Sequence, residues 1–296
     1  MRRHSRLPSR RQNVFEFLVS AEQVKANLGN ADWLILDVRH DLADHQAGRR
    51  AYEQGHIPGA VFLDHEADLA APKTGLNGRH PLPSRQDLAQ LLQKQGLRDG
   101  MQVVVYDAQA SLFASHMWWM LRWLGHPQVA ILDGGWQAWQ GLEGPEDSGP
   151  AQAVQATTDL SVPAQPAMPT VKTEQILKNL TTPVFTVLDA RAAERYRGDV
   201  EPMDPVAGHI PDALNRSHLN NLGEQGRFKS AEQLRQEFIS VLGKTPAEQV
   251  VHQCGSGITA CHNLFAMELA GLSGSSIYPG SWSEWVSDAS RPVARS

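Results

Sequence analysis

The sequence of this chain repeats itself once, and this duplication constrains the fold more than any other feature. Residues 33–39 end in an Asp-x-Arg motif, and residues 55–60 then begin with Gly-His-Ile-Pro. Residues 185–191 and 208–213 contain the same two motifs in the same order. The aspartates of the two copies are 152 residues apart and the histidines 153. Motifs that recur in one order at a nearly constant offset predict a duplicated domain.

A second pair of matching features extends the repeat. A β-branched run precedes a helical run that ends at Gly125, and the same arrangement ends at Gly271, 146 residues later. Trp136 and Trp282 are also 146 residues apart. We therefore predict a first domain over residues 14–140 and a second domain over residues 170–290. Residues 141–169 are rich in Gly, Pro, Ala and Gln without sustained periodicity, which is typical of a linker.

Within each copy, short apolar runs alternate with helical patterns. Strands are predicted at Trp33–Asp37, at residues 103–106 and at residues 130–132, and helices at residues 84–95 and 111–124. This alternation predicts an α/β fold in which each domain is a mostly parallel sheet flanked by helices. The tryptophans at positions 118, 119 and 123 share an apolar helix and are expected to pack in the core or between the domains.

Composition narrows the classes of partner. The chain carries 27 Lys and Arg against 32 Asp and Glu, and this net charge of −5 gives no broad cationic surface for nucleic acid. The arginines between positions 2 and 11 are expected to form a solvated tail. No apolar run reaches the ~18 residues of a membrane span. The two cysteines, seven residues apart, cannot form a disulfide framework, which favours a reducing compartment and predicts the cytoplasm.

Cys254 follows an apolar strand and precedes a helix, in the sequence Cys-Gly-Ser-Gly-Ile-Thr. Gly255 and Gly257 let the backbone curl so that several N–H groups, including those of Ile258 and Thr259, converge on one point. Such donors and the helix N-terminus favour a thiolate, and they can hold a terminal persulfide sulfur in the same way. We therefore expect Cys254 to be a nucleophile, although a free cysteine is often only a small buried hydrophobe.

Other reactions of cysteine loops are disfavoured. A cysteine-dependent phosphatase places an arginine six residues after the nucleophile, where this chain has Ala260. The cysteines at 254 and 261 with His252 and His262 match no common zinc spacing, so no metal site is expected. No G-x-G-x-x-G motif follows a strand, and no dinucleotide is implied. Cys261 lies within the helix and is expected to be a core residue.

Together these motifs resemble the two-domain rhodanese family of sulfurtransferases. The resemblance runs from about residue 14 to residue 286 and rests on the tandem Asp-x-Arg and Gly-His-Ile-Pro motifs, the cysteine loop and the Gly-Ser-Trp at 280–282. It implies two tandem rhodanese-like domains, of which the second is catalytic, and no metal or organic cofactor. It also implies a small-molecule sulfur donor and an acceptor that is a thiol, cyanide or a thioredoxin-like protein.

The loop at residues 254–261 is similar to that of the subgroup acting on 3-mercaptopyruvate, whereas thiosulfate-preferring members carry basic residues after the cysteine. Gly255 and Ser256 provide no charge to balance a thiosulfate dianion. In the subgroup an arginine grips the donor carboxylate, and Arg195 matches its position. A second arginine usually precedes the second Gly-His-Ile motif; residues 201–208 contain none, and Arg197 is the expected substitute.

The resemblance also implies a proton relay around the cysteine. His56 matches by motif and Asp44 by approximate position, and with Ser256 they resemble a Ser-His-Asp relay. His209, the equivalent of His56 in the second copy, is interpreted as structural. Two alternatives stay open: a thiosulfate:cyanide sulfurtransferase, and a persulfide carrier with little turnover of small donors.

Overall fold

The computed structural model describes residues 14–150 and 154–296, so the arginine-rich segment at positions 2–11 lies outside the described residues. In the first domain the strands are β1 (Leu18–Val19), β2 (Trp33–Asp37), β3 (Val61–Phe62), β4 (Gln102–Tyr106) and β5 (Val129–Leu132). Its helices are α1 (Ala21–Lys25), α2 (Ala47–Gln54), α3 (Arg85–Lys94), α4 (Leu112–Leu124) and α5 (Gly135–Gly141).

The second domain has the same alternation of strands and helices. Its strands are β6 (Thr186–Asp189), β7 (Leu214–Asn215), β8 (Val250–Gln253) and β9 (Ser276–Ile277). Its helices are α6 (Thr173–Thr181), α7 (Ala193–Arg197), α8 (Ala231–Leu242), α9 (Ile258–Leu269) and α10 (Ser281–Trp285). Short 3₁₀ turns occupy His218–Asn221, Glu224–Gly226 and Ala247–Gln249.

Both sheets are parallel, and the four strands of the second sheet, read from β9 to β7, follow the order of β5, β4, β2 and β3 in the first. The first sheet runs β1-β5-β4-β2-β3 and the second β7-β6-β8-β9. In the first sheet Asp37 pairs with Tyr106, and in the second Asp189 pairs with Gln253. The register therefore places Cys254 at the position that Asp107 holds in the first domain. The predicted α/β fold with two parallel sheets is confirmed, and the predicted strands and helices lie within a residue or so of the observed ones.

Helices α4 and α9 pack against each other between the domains. Trp118 and Trp119 of α4 are fully buried, and the Trp118 ring meets Phe265 of α9 edge to face at 4.9 Å between centroids. A single apolar cluster extends from the first sheet through these helices to Cys254 and Cys261. The expectation that the tryptophans pack in the core or between the domains is confirmed, and this packing joins the second domain's cysteine loop to the first domain.

The described part of the segment expected to be a linker lies along the first domain. The Thr157 N–H donates to the Gln93 carbonyl at 2.9 Å, and the Asp99 N–H donates to the Asp159 carbonyl at 2.7 Å. The guanidinium of Arg85 donates to the Pro163 carbonyl at 2.8 Å. Across both described ranges, none of the helices has the length and apolar character needed to span a membrane.

Candidate active site

Cys254 is the first residue after β8, and 2% of its surface is exposed. The Gly257 N–H donates to its Sγ at 3.2 Å, and its own N–H donates to Ser281 Oγ at 3.1 Å. Gly257 has φ +92, and a Cβ there would lie 2.6 Å from the Pro279 carbonyl oxygen. Only glycine therefore fits this turn, which aims a backbone donor at the sulfur and begins α9 beside it.

The first domain shows what a loop of this shape binds. The buried Asp107 carboxylate, at the position equivalent to Cys254, accepts four backbone N–H groups, those of Gln109 and Ser111 on Oδ1 and those of Phe113 and Ala114 on Oδ2, at 2.8–3.0 Å. Burial raises the pKa of Asp107, while these four donors favour the charged form. One copy of the loop thus holds a carboxylate and the other presents a sulfur in the same place.

A buried arginine adds positive charge near the sulfur. Arg191 is 2% exposed and is held by Asp189 at 2.7 Å and by the Gly208 carbonyl at 2.8 Å. Burial opposes its charge, but the interactions with Asp189, Glu201 and Cys254 outweigh that effect and raise the pKa of Arg191. Arg191 therefore remains a cation near the Cys254 sulfur.

Ser256 belongs to a hydrogen-bonded relay that crosses between the domains. Its Oγ lies 2.8 Å from His80 Nδ1, and His80 Nε2 lies 2.7 Å from Glu66 Oε1. Because Glu66 accepts the proton on Nε2, Nδ1 is free to accept the serine hydroxyl proton. Burial lowers the pKa of His80 to about 4, so the ring is neutral near pH 7. The arrangement can move a proton between Ser256 and His80.

The expected partners of Ser256 were wrong. His56 Nδ1 bonds the Tyr52 carbonyl at 2.8 Å and its ring stacks on Tyr52 at 3.8 Å between centroids. His209 makes the equivalent bond and stack with its own tyrosine in the second domain. Because this histidine makes the same contacts in both copies, it stabilises the fold of each domain. Asp44 is half-exposed and forms an ion pair with Arg50, which lowers the pKa of its carboxyl.

Sequence analysis missed His80 because it selected the histidine of the Gly-His-Ile-Pro motif, which recurs in both domains. Each domain extends a Gly-Arg-x loop toward the strand-to-helix turn of the other domain. The loop of the first domain brings Arg79 and His80 to the second domain. The loop of the second domain contains Phe228 and Arg227, and Arg227 pairs with Asp133 of the first domain at 3.4 Å. Comparison of these loops, 148 residues apart, shows histidine in one copy and phenylalanine in the other. That difference was the available signal.

Two guanidinium groups, one from each domain, lie over the cysteine loop. A Cβ built on Gly255 would lie 2.8 Å from Arg79 Nη2 and 3.6 Å from Arg195 Nη1. The Asp204 carboxylate joins them, because it forms an ion pair with Arg79 and lies 3.5 Å from Arg195. Arg195 also bonds Glu201 at 2.6 Å. The arginines can grip an anionic group above the loop as a pair.

The other expected residues have simpler positions. Arg197, the expected second arginine, is half-exposed and pairs with Asp199 at 2.7 Å. The arginine that lies beside Arg195 at the cysteine loop is instead Arg79. Ile258 and Thr259 form the first turn of α9. Cys261 is fully buried, and burial raises the pKa of its thiol well above the usual range.

The duplicated sheets and the cysteine loop define a class of protein: the chain belongs to the rhodanese-like domain family, whose model matches residues 20–142 and 172–288. It is 46% identical over 279 residues to "Probable 3-mercaptopyruvate sulfurtransferase" of Pseudomonas aeruginosa, covering 94% of this chain and 97% of that protein. It is 34% identical to thiosulfate sulfurtransferase of Bos taurus, covering 93% of each chain. The structure of 3-mercaptopyruvate sulfurtransferase from Leishmania major superposes with a TM-score of 0.82 at 27% identity, covering 94% of this chain and 75% of that one.

Proposed function

We propose that this chain is a sulfurtransferase that takes sulfur from 3-mercaptopyruvate, carries it as a persulfide on Cys254 and passes it to a thiol or cyanide. The observation that supports this most is the juxtaposition at the loop: a sulfur in an anion-binding turn lies next to the Ser256 relay and under two guanidinium groups. The relatives named for this activity support the same donor.

In the first half-reaction the Cys254 thiolate attacks the donor sulfur. The new S–S bond forms as the carbon–sulfur bond of the donor breaks, and the electron pair of that bond goes to the departing carbon as pyruvate enolate. The proton of the donor thiol, relayed by Ser256 and His80, ends on that carbon and completes pyruvate. The persulfide keeps a negative terminal sulfur, which the Gly257 N–H and Arg191 stabilise.

Donor recognition depends on the arginine pair. We infer that Arg195 and Arg79 bind the donor carboxylate, with Gly255 leaving room for them. In the free protein Asp204 and Glu201 hold both guanidinium groups in place, so little reordering is needed when a donor binds.

One observation favours thiosulfate as a second donor. Sequence analysis found no charge after Cys254, yet Arg79 brings a cation from the other domain to Gly255. A guanidinium at that point would also balance a sulfonate. The relatives include a protein named for thiosulfate.

For the acceptor, we propose a small thiol or a reduced thioredoxin-like protein in a reducing compartment such as the cytoplasm. Cys254 would have to stay reduced between turnovers, and Cys261 is too deeply buried to reach an acceptor. The second half-reaction then transfers the outer sulfur and restores the Cys254 thiolate.

The test compares kcat/KM for the two donors with cyanide as acceptor, measured as thiocyanate. We expect a higher value for 3-mercaptopyruvate and complete loss in Cys254→Ser, while Cys261→Ala, the matched control, retains activity. If kcat/KM for thiosulfate is equal or higher, thiosulfate replaces 3-mercaptopyruvate as the proposed donor. A cyanide-releasable sulfur on Cys254 without steady turnover would indicate a carrier. Sulfur transfer by Cys254→Ser would overturn the mechanism.

A further inference from the structure

The first domain contains a cluster of histidines beside the relay. The ring centroids of neighbouring members lie 5.1–5.7 Å apart, which is close for residues that can all be protonated. The members are His40, His45, His65, His80 and His116. They come from the loop between β2 and α2, the loop between β3 and α3, and α4, so the tertiary fold brings these three segments together.

We propose that His40, His45 and Glu66 form a binding site for a divalent transition-metal ion of the zinc type. One nitrogen of each histidine and one carboxylate oxygen lie within 4.8 Å of one another. Two imidazoles and a carboxylate match the ligands that Zn²⁺ and Co²⁺ accept, with a further position left for water. Sequence analysis expected no metal, because it considered only ligands near Cys254.

The buried members of the cluster carry polar atoms that need a partner. His40 is 2% exposed, and within the described ranges its Nε2 has no hydrogen-bond partner. The neighbouring His65 is 1% exposed, and both of its ring nitrogens lack a partner among the same residues. Buried polar atoms are nearly always satisfied in folded proteins, so the unpartnered Nε2 of His40 points to a ligand.

The geometry requires a modest closure. Tetrahedral bonds of about 2.0–2.1 Å would place ligand atoms about 3.4 Å apart, so the side chains whose ligand atoms are now farther apart, by up to 4.8 Å, must approach one another. His45 is exposed, and it lies in the loop between β2 and α2. Its side chain can therefore move toward His40 and Glu66 without disturbing the core.

The site shares Glu66 with the relay. Glu66 Oε1 bonds His80 at 2.7 Å, and Oε2 pairs with Lys73 at 2.8 Å. An incoming ion would displace the half-exposed Lys73 ammonium and draw electron density from the carboxylate that orients His80. Metal binding should therefore slow sulfur transfer. This consequence rests on the proposed function, whereas the metal site does not.

Calorimetric titration with Zn²⁺ and absorption spectroscopy with Co²⁺ test the site in the full-length chain carrying Cys254→Ser, which removes thiolate binding at the active site. We expect one equivalent of metal and a Co²⁺ spectrum without thiolate charge-transfer bands. His45→Gln should weaken binding at least about tenfold. Asp44→Asn removes a neighbouring charge outside the ligand set and should leave the affinity within about threefold. Lys73→Met should tighten binding, because it removes the competing cation.

The absence of metal binding, or a metal affinity unchanged by His45→Gln, would overturn the proposal. A Lys73→Met variant that binds the metal more weakly than the protein with Lys73 would also overturn it. In the otherwise native protein, Zn²⁺ should inhibit sulfur transfer and His45→Gln should relieve that inhibition. Inhibition of equal strength in both proteins would show that the ion acts elsewhere. If neither donor is turned over, the proposed function fails while the binding titration still decides the metal site.

Discussion

Replacement of Arg79 by glutamine tests how the two domains share donor recognition. Arg79 belongs to the first domain, yet its guanidinium lies against Gly255 and pairs with Asp204 in the second. Glutamine keeps a polar side chain of similar reach but removes the charge and the planar fork. The substitution should therefore weaken recognition of an anionic donor and leave the relay in place.

The structure sets the expected magnitude. A hydrogen bond to a charged group contributes about 1.5–3 kcal/mol, and the Arg79 side chain is 24% exposed, which favours the lower half of that range. A loss of about 1.5–2 kcal/mol corresponds to about 10- to 30-fold in kcat/KM. Asp204, 4% exposed, would then be left with Arg195 alone and would compete with the donor for it. Both effects raise KM more than they lower kcat.

The assay is thiocyanate formation with 3-mercaptopyruvate and with thiosulfate as donors. Arg197→Gln is the matched control, because that arginine is half-exposed and pairs only locally with Asp199 in the described contacts. Arg195→Gln should reduce kcat/KM at least as strongly as Arg79→Gln. A KM within twofold of the unchanged protein in Arg79→Gln, alongside a large effect in Arg195→Gln, would refute donor recognition by the first domain.

Three further predictions concern the relay and the fold. His80→Gln should lower kcat about 10²- to 10⁴-fold with little change in KM, and a KM effect alone would contradict a proton-transfer role. Asp107→Ala should leave four buried N–H groups unpaired and lower the free energy of unfolding by at least about 3 kcal/mol, measured by urea denaturation; an unchanged midpoint would contradict this. Burial lowers the pKa of His116, His252 and His262 to about 3 from 6.5, so below pH 6.5 the unfolded chain binds protons that the folded protein excludes. Stability should fall by about 2 kcal/mol per histidine between pH 7 and pH 5, and equal urea midpoints at these two values would refute it.

The candidate residues that the structure places at the cysteine loop, as sequence analysis expected, are those whose position depends on the nearby chain. Cys254 directly follows a buried strand, Gly257 takes the left-handed turn, and both can be recognised from neighbouring residues. Arg195 follows the second Asp-x-Arg motif at short range and lies against the cysteine loop. Local chain geometry determines each of these positions, so a local pattern is sufficient to find them.

His56 shows the opposite case. Its motif recurs in both domains, and that recurrence reflects a shared structural need, the bond and stack with a tyrosine in each copy. The histidine that contacts Ser256 lies 176 residues away from it in the chain. Nothing in the spacing of either segment encodes that contact, because it exists only where the two domains meet.

By itself the sequence determined that this chain is a duplicated α/β protein with a glycine-rich turn after Cys254, because strand and helix periodicity and the curl of a glycine loop depend on residues close together in the chain. Only the tertiary structure decided which side chains complete that turn. Packing of α4 against α9 brings the first domain's His80 and Arg79 onto the second domain's loop. Contacts between residues so far apart in the chain depend on how the surfaces of the two domains pack together, and no local sequence pattern predicts that packing.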